Sequence, residues 1–112
     1  MNIVLVGAGE VGFNLSKVLS KEGYNLTIID IDPNRCNRVN NNLDAKVIEG
    51  NGASQRILQK VNFEDVKYFL ALTKIDEINL VASSIAKKLG AKKVITRLRN
   101  TEYVHKRAVM KP

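Results

Sequence analysis

Six residues, Gly7-Ala8-Gly9-Glu10-Val11-Gly12, stand between an apolar run, Asn2 to Val6, and a stretch with helical periodicity. A second apolar run follows, Leu26 to Ile29, closed by the acid Asp30. That order constrains the fold more than any other feature of the chain. Glycines at the first, third and sixth positions of a strand-to-helix turn are what a dinucleotide-binding βαβ unit requires. Gly7 permits the tight turn, Gly9 lets the backbone approach a pyrophosphate with no Cβ in the way, and Gly12 lets the helix pack closely on the sheet. Phosphates would sit on N–H groups left unpaired at the helix start, at the positive end of its dipole, with no basic side chain needed in the loop. Asp30 falls where an acid accepts hydrogen bonds from adenosine ribose hydroxyls and repels a 2′-phosphate, which favours NAD(H) or an adenine nucleotide over NADP(H). The alternative is that the glycines serve packing alone and Asp30 merely closes a strand.

Apolar and helical segments alternate through the rest of the chain. A helix is expected over Glu10 to Lys21, with Val11, Leu15, Val18 and Leu19 on its inward face and Gly23 as its left-handed stop. Asp32-Pro33 supplies an N-cap followed by proline at the first helical position, opening a second helix to about Asn41. Lys46 to Glu49 reads as a strand, Gly50-Asn51-Gly52 as a turn, and Ser54 to about Val61 as a short helix with Ile57, Leu58 and Val61 inward. Tyr68 to Leu72 is the fourth strand. Thr73-Lys74-Ile75-Asp76 has capping-box spacing and opens a helix to Leu89 with an apolar stripe of Ile78, Val81, Ala82 and Ile85, closed by Gly90. Lys93 to Leu98 is the fifth strand, and Thr101 begins a final helix with Tyr103, Val104, Ala108 and Val109 as apolar candidates. The expectation is an α/β, three-layer, Rossmann-like doubly wound parallel sheet of five strands, order 3-2-1-4-5, with helices on both faces. Six strands are usual for such a sheet, so strand five would lie at an edge, covered by another subunit or by residues beyond this chain.

With 112 residues, the chain reads as one domain over 1–112, short of a dehydrogenase that adds a substrate domain. No apolar run approaches the roughly 18 residues that span a bilayer. The apolar start Ile3 to Val6 has strand length and no basic leader, so a cytoplasmic location is expected. Cys36 cannot pair within the chain and reads as a packing or surface residue. The net charge of +7 concentrates late, at Lys87, Lys88, Lys92, Lys93, Arg97, Arg99, Lys106, Arg107 and Lys111. Aromatics are scarce and Lys87-Lys88 and Lys92-Lys93 flank a helix C-terminus that favours cations, so solvated charge explains the excess and no nucleic-acid partner is expected. An oxidoreductase needs a proton donor beside its nicotinamide, and the single histidine, His105, falls on the last expected helix, away from the strand ends. One His and one Cys offer no metal cluster without several recruited carboxylates.

Four further stretches are not generic to dinucleotide folds: Asp30-Ile31-Asp32, Val47 to Ser54, Ala71 to Asn79, read as T-x-x-D-E-x-N after an apolar strand, and Ile95 to Tyr103. In this order they resemble the Trk/Ktr family of potassium-transport regulators, whose nucleotide-binding domain (TrkA-N, or RCK) gates potassium transporters and channels from the cytoplasmic side. The resemblance covers essentially the whole chain, which departs from the usual Gly-Asp at Gly50-Asn51. It implies that Gly7, Ala8, Gly9, Glu10, Val11 and Gly12 surround the phosphates. Asp30, with Ile31, Asp32 and Arg35 beside it, would hold the adenosine ribose, and Gly50, Asn51, Gly52 and Ala53 would lie near the adenine. Leu72, Thr73, Asp76 and Asn79 would border the ligand after strand four, and Arg97 would reach toward phosphate or the second nucleoside. First-turn capping is the competing role for Thr73, Asp76, Glu77 and Asn79. The resemblance further implies a non-enzymatic cytoplasmic regulator that binds NAD(H), or ATP/ADP, and assembles as a homodimer or larger ring. Its partner would be a membrane potassium transporter or channel subunit at the inner face of the membrane. Against the full regulators of this family the chain would lack the sixth strand and the C-terminal regulatory domain. A small NAD-dependent oxidoreductase, or its cofactor-binding fragment, is the alternative.

Overall fold

The computed structural model describes residues 1–103. Five strands, β1 (Asn2–Val6), β2 (Asn25–Asp30), β3 (Lys46–Glu49), β4 (Val66–Ala71) and β5 (Val94–Thr96), form one sheet in the order β3-β2-β1-β4-β5. Every pairing is parallel. Between them run α1 (Glu10–Lys21), α2 (Pro33–Asn42), the single turn α3 (Gln55–Leu58), a 3₁₀ turn over Phe63–Asp65 and α4 (Asp76–Lys88). The α/β doubly wound topology expected from the sequence is the one observed. The strand order reverses between β1 and β4, the position at which open α/β sheets of this kind bind ligands.

Both faces of the sheet are covered, which is why β1 reads as a continuous apolar run rather than an alternation. Ile3 and Leu5 pack toward α1 and α2 with Phe13, Leu26, Ile28 and Val39. Val4 and Val6 point the other way, into a cluster with Ile57, Leu58, Phe63, Phe69, Ala82 and Ala86 that underlies α3 and α4. Each fully buried Val, Ile, Leu or Phe contributes roughly 1.5–3 kcal/mol of transfer free energy. The second helix opens as expected, with the Asp32 side chain accepting from Asn34 N and Pro33 at the first helical position.

Four local expectations are corrected. Val11 and Val18 are 44% and 55% exposed, whereas Leu15 and Leu19 pack inward as expected, beside the buried Gly12, Phe13 and Ser16. The cause is Gly12: a Cβ there would run into the carbonyl oxygen of Gly7, so the helix is rotated to press Gly12 on the loop, which turns Val11 and Val18 outward. Phe13 is then roofed by the Arg38 guanidinium of α2 at 3.8 Å from the ring centroid. On α4, Val81 is 46% exposed. Ala82 is buried and Ile78 and Ile85 are half-buried as expected, but the other fully buried positions are Asp76, Asn79, Ser83 and Ala86, so a polar seam runs beside the apolar stripe. The capping box at Thr73 does not form either. The helix starts later, with Ile75 at the N-cap and no side-chain cap, and the Thr73 hydroxyl accepts from Ile75 N at 3.2 Å. The fifth strand is also shorter than Lys93 to Leu98, because only Val94–Thr96 pair with β4. Beyond it, Asn100 Oδ1 accepts from Glu102 N and residues 101–103 are helical, as expected from Thr101. The continuation through Val104, Ala108 and Val109, and the placement of His105, lie outside the described residues.

Candidate nucleotide site

The glycine loop is built against the end of β4. Gly7 has φ of +107°, and a Cβ there would lie 3.0 Å from Thr73 N and 3.1 Å from the Leu72 carbonyl carbon, so neither the conformation nor the space admits a side chain. Gly7 N donates to Ile29 O and Leu72 N to Val6 O, both at 2.8 Å, which ties the loop to the strands on each side. Gly9 is the N-cap of α1, and no side chain caps that end. The first-turn N–H groups therefore have no intrahelical acceptor and face forward at the positive end of the helix dipole. A Cβ on Gly9 would meet nothing nearer than Arg35 Cζ at 4.0 Å. An uncapped helix start behind open space is an anion cradle of the size a branched side chain would fill.

Asp30 stands beside this cradle, buried to 5% exposure at the end of β2. Its Oδ2 accepts from Ala8 N at 2.7 Å and its Oδ1 from Asp32 N at 2.8 Å. Two oxygens with one N–H each keep lone pairs for a further donor such as a ribose hydroxyl. Arg35 Nη1 lies 3.9 Å from Asp30 Oδ2 and its Nε 3.9 Å from Asp32 Oδ2, placing one half-exposed guanidinium between two carboxylates and over Gly9.

The loop, Asp30 and the ends of β1, β3 and β4 enclose a cleft of about 410 Å³. Of the residues singled out in the sequence, Gly7, Gly9, Glu10, Asp30, Ile31, Arg35, Asn51, Gly52, Leu72, Thr73 and Arg97 line it. Ala8, Val11, Gly12, Asp32, Gly50, Ala53, Asp76 and Asn79 do not. Ala8 takes part through its backbone N–H, and Gly52 sits on Val6, where a Cβ would collide with the valine methyls. Lys74, Ile75 and Ile78 line the cleft and went unnoticed in the sequence. The only available signal was the position of Lys74 and Ile75 directly after Thr73. A second hollow of about 350 Å³ lies at the opposite ends of the strands, among Asn2, Asn25, Lys46 and Val66, away from the glycine loop. The cleft at the switch point is the candidate site.

Asn79 is wholly buried behind the cleft and its amide is fully used. Its Oδ1 accepts from Thr73 N at 2.9 Å and from the Thr73 hydroxyl at 2.7 Å, and its Nδ2 donates to Thr73 O and Arg97 O, both at 2.9 Å. An amide has two donor hydrogens and two acceptor lone pairs, so all four are committed within the protein. The Asp76 carboxylate accepts from Arg99 N at 2.9 Å and Asn100 N at 2.7 Å. Both side chains hold the walls of the site.

Cys36 packs under the site with its Sγ donating to Asp30 O at 3.3 Å. Burial pushes its thiol up from the ordinary range, and the negative charges of Asp30, Glu49 and Asp32 push it further. A protonated, buried thiol is a poor nucleophile. We expect a thiol-reactive disulfide reagent at pH 8 to modify Cys36 on the order of a hundredfold more slowly in the folded chain than in denaturant, and equal rates would contradict this burial. Among the described residues, no group of three or more His, Cys, Asp or Glu is placed to hold a metal ion, and no helix is long and apolar enough to cross a membrane.

Residues 3–110 match the family model of the TrkA-N domain. The chain belongs to that family. This TrkA-N domain is 44% identical over 104 residues to a Trk system potassium uptake protein TrkA homolog of Archaeoglobus fulgidus, covering 93% of the chain and 23% of the relative. It is 38% identical to the Trk system potassium uptake protein TrkA of Halomonas elongata, over 91% of the chain and 22% of the relative. The domain thus spans under a quarter of the length of these two curated relatives. Among solved structures it is similar to the Kef CTD of Shewanella denitrificans in its AMP-bound form. The TM-score is 0.78 at 20% identity, over 96% of this chain and 65% of that one, a likeness of fold.

Proposed function

We propose that this TrkA-N domain is a non-enzymatic regulatory module that binds NAD(H), or ATP/ADP, and passes the ligand state to a membrane potassium transporter or channel. One observation carries the reading: the uncapped start of α1, open in front of Gly9, shares a cleft with the buried Asp30 carboxylate. That pairing suits a ligand with an anionic diphosphate at one end of a vicinal diol. The α1 N–H groups would hold the phosphates, Asp30 the adenosine ribose, and the wall of Gly52 and Asn51 the base, with Thr73 and Arg97 toward the far end. A bound nicotinamide cofactor would carry redox information, whereas adenine nucleotides would report energy charge. The names of the relatives supply the transport context, and the Kef neighbour is a protein of this fold with AMP bound.

The output would be a population shift. A ligand biases the transporter only by the difference in its affinity for two arrangements of the regulator, so binding must be both specific and state-dependent. Ile75 at the N-cap of α4, Leu80 and Val81 on that helix, and Ile95 on the edge strand β5 are exposed apolar residues at the β5 end of the sheet, which suits a homodimer or larger ring at the cytoplasmic face of the membrane.

Calorimetric titration of the 112-residue chain with NAD⁺, NADH, ATP, ADP and NADPH tests the first step. Micromolar binding of at least one of the first four, with NADPH weaker, is the expected outcome. No heat with any of them sinks the nucleotide reading. Sustained oxidation of NADH with small carbonyl substrates would move the domain to the oxidoreductase class.

A further inference from the structure

We infer that the polar seam of α4 is a latch that couples the occupancy of the cleft to the backbone leaving β5. The seam is made of Asp76, Asn79 and Ser83, one face of the helix at spacings of three and four, where an ordinary helix in this layer would bury apolar side chains. What it faces explains its chemistry. The edge strand β5 stops pairing after Thr96, with the Arg97 N–H reaching back to Ala71 O as its last bond to β4. The backbone groups beyond have no ladder partner and must be satisfied elsewhere.

The seam meets this exit in order, and three of its backbone groups, Arg97 O, Arg99 N and Asn100 N, find their partners there. Ser83 Oγ meets Thr96 Oγ1 at 2.6 Å, Asn79 Nδ2 takes Arg97 O at 2.9 Å, and the Asp76 carboxylate takes Arg99 N and Asn100 N. The Tyr103 hydroxyl closes the row by donating to Glu77 Oε2 at 2.6 Å, and this partner raises the phenol's pKa above its ordinary range. Residues 97–103 are thus fastened to α4 by polar bonds, individually weak and replaceable by water, rather than by a buried apolar contact. Such a segment belongs to the low-stability end of a fold, where opening is local.

The cleft end of the seam is Thr73. Its hydroxyl proton has Asn79 Oδ1 as its nearest acceptor at 2.7 Å, and Asn79 spans directly from Thr73 to the Arg97 carbonyl. Thr73 and Arg97 both line the cleft, and the Arg97 guanidinium reaches Leu72 O at 3.4 Å. A ligand that engages these two residues fixes the two backbone carbonyls that Asn79 bridges, and so closes the rest of the row. Asn79 and Asp76 are positioning residues in this scheme, acting through Thr73 and Arg97 and through the amides of Arg99 and Asn100. By linkage, whatever loosens the seam must weaken the ligand.

The inference rests on the nucleotide reading above, and the test separates the two. Amide hydrogen exchange is followed at Arg99 and Asn100 in the full chain with and without NADH, and binding is measured by calorimetry on the same samples. NADH is expected to slow both amides about fivefold, the factor that one strengthened hydrogen bond supplies. Asp76→Asn is expected to exchange rapidly in both states and to bind NADH about fivefold more weakly, although Asp76 does not line the cleft. Tyr103→Phe removes the outermost rung from an exposed position and should halve the protection at Asn100 or more while leaving the fold intact, which keeps the test usable if Asp76→Asn does not fold. NADH binding with unchanged exchange at Arg99 and Asn100 overturns the latch and leaves the nucleotide site standing. Where NADH gives no heat, the exchange is read with whichever of NAD⁺, ATP or ADP binds, and absence of binding by all four overturns both.

Discussion

Gly9→Val is expected to abolish nucleotide binding, by more than about a hundredfold, while the chain stays folded. Gly9 has φ of −70° and ψ of −159°, an extended conformation that valine adopts freely, and no protein atom lies closer than 4.0 Å to the position of the new Cβ. The folding cost is then that of an inferior N-cap, about 1 kcal/mol, or a fall in Tm of roughly 4–8 °C. The branched side chain would nevertheless fill the space in front of the α1 N–H groups that a pyrophosphate needs. Gly12→Ala is the opposite experiment three residues away. Its methyl meets the carbonyl oxygen of Gly7, a backbone atom that cannot rotate aside, so the loss is of stability, about 3 kcal/mol. Thermal melts and NADH titrations of the two variants should therefore dissociate. Wild-type affinity in Gly9→Val would mean that the ligand binds elsewhere in the chain.

These two glycines also mark where sequence reasoning about the fold succeeds and where it stops. Both are visible as members of one motif, and the strands around them are visible because β1, β2 and β4 bury both faces over most of their length and so carry largely apolar runs. The rotation of α1 was not legible from periodicity. Val11, Leu15, Val18 and Leu19 form one apolar stripe in the sequence, and the contact of Gly12 with Gly7 turns only its Leu15 and Leu19 toward the sheet. The polar seam of α4 was hidden for a related reason. Asp76 and Asn79 look like first-turn residues of an exposed helix start, and their true partners, the amides of Arg99 and Asn100 and the carbonyl of Arg97, lie 18 to 24 residues away on a strand exit. Hydrogen-bond partners at that separation leave no local pattern. In the site itself, residues tied to the backbone turn could be located from spacing, as with Gly7, Gly9 and Asp30. The wall contributed by Lys74, Ile75 and Ile78 depends on how α4 begins, two residues later than its capping-box spacing suggested.

Asp30 is the residue where stability and ligand choice meet, and its variants should separate the two. Asp30→Ala strips the acceptor from the buried N–H of Ala8 and from Asp32 N, and an unsatisfied buried donor costs roughly 1–3 kcal/mol. A loss of about 3 kcal/mol in total is expected, large enough on the order of 10–20 °C in Tm to blur any binding measurement. Asp30→Asn is the sharper variant. It retains Oδ1 for Asp32 N, gives up only the bond to Ala8 N, and removes the negative charge while keeping the shape. If Asp30 accepts from ribose hydroxyls, replacing its carboxylate by an amide should lower NADH affinity by roughly tenfold to a hundredfold, the worth of a charge-assisted hydrogen bond. NADPH should respond differently, because the charge that repels a 2′-phosphate is gone and Arg35, now held 3.9 Å from Asp30, is released to meet it. The preference for NADH over NADPH should therefore shrink toward unity in Asp30→Asn, read from paired calorimetric titrations. An unchanged ratio with a lowered affinity for both would place the carboxylate in loop-holding alone, through Ala8, and shift the discrimination to another part of the cleft.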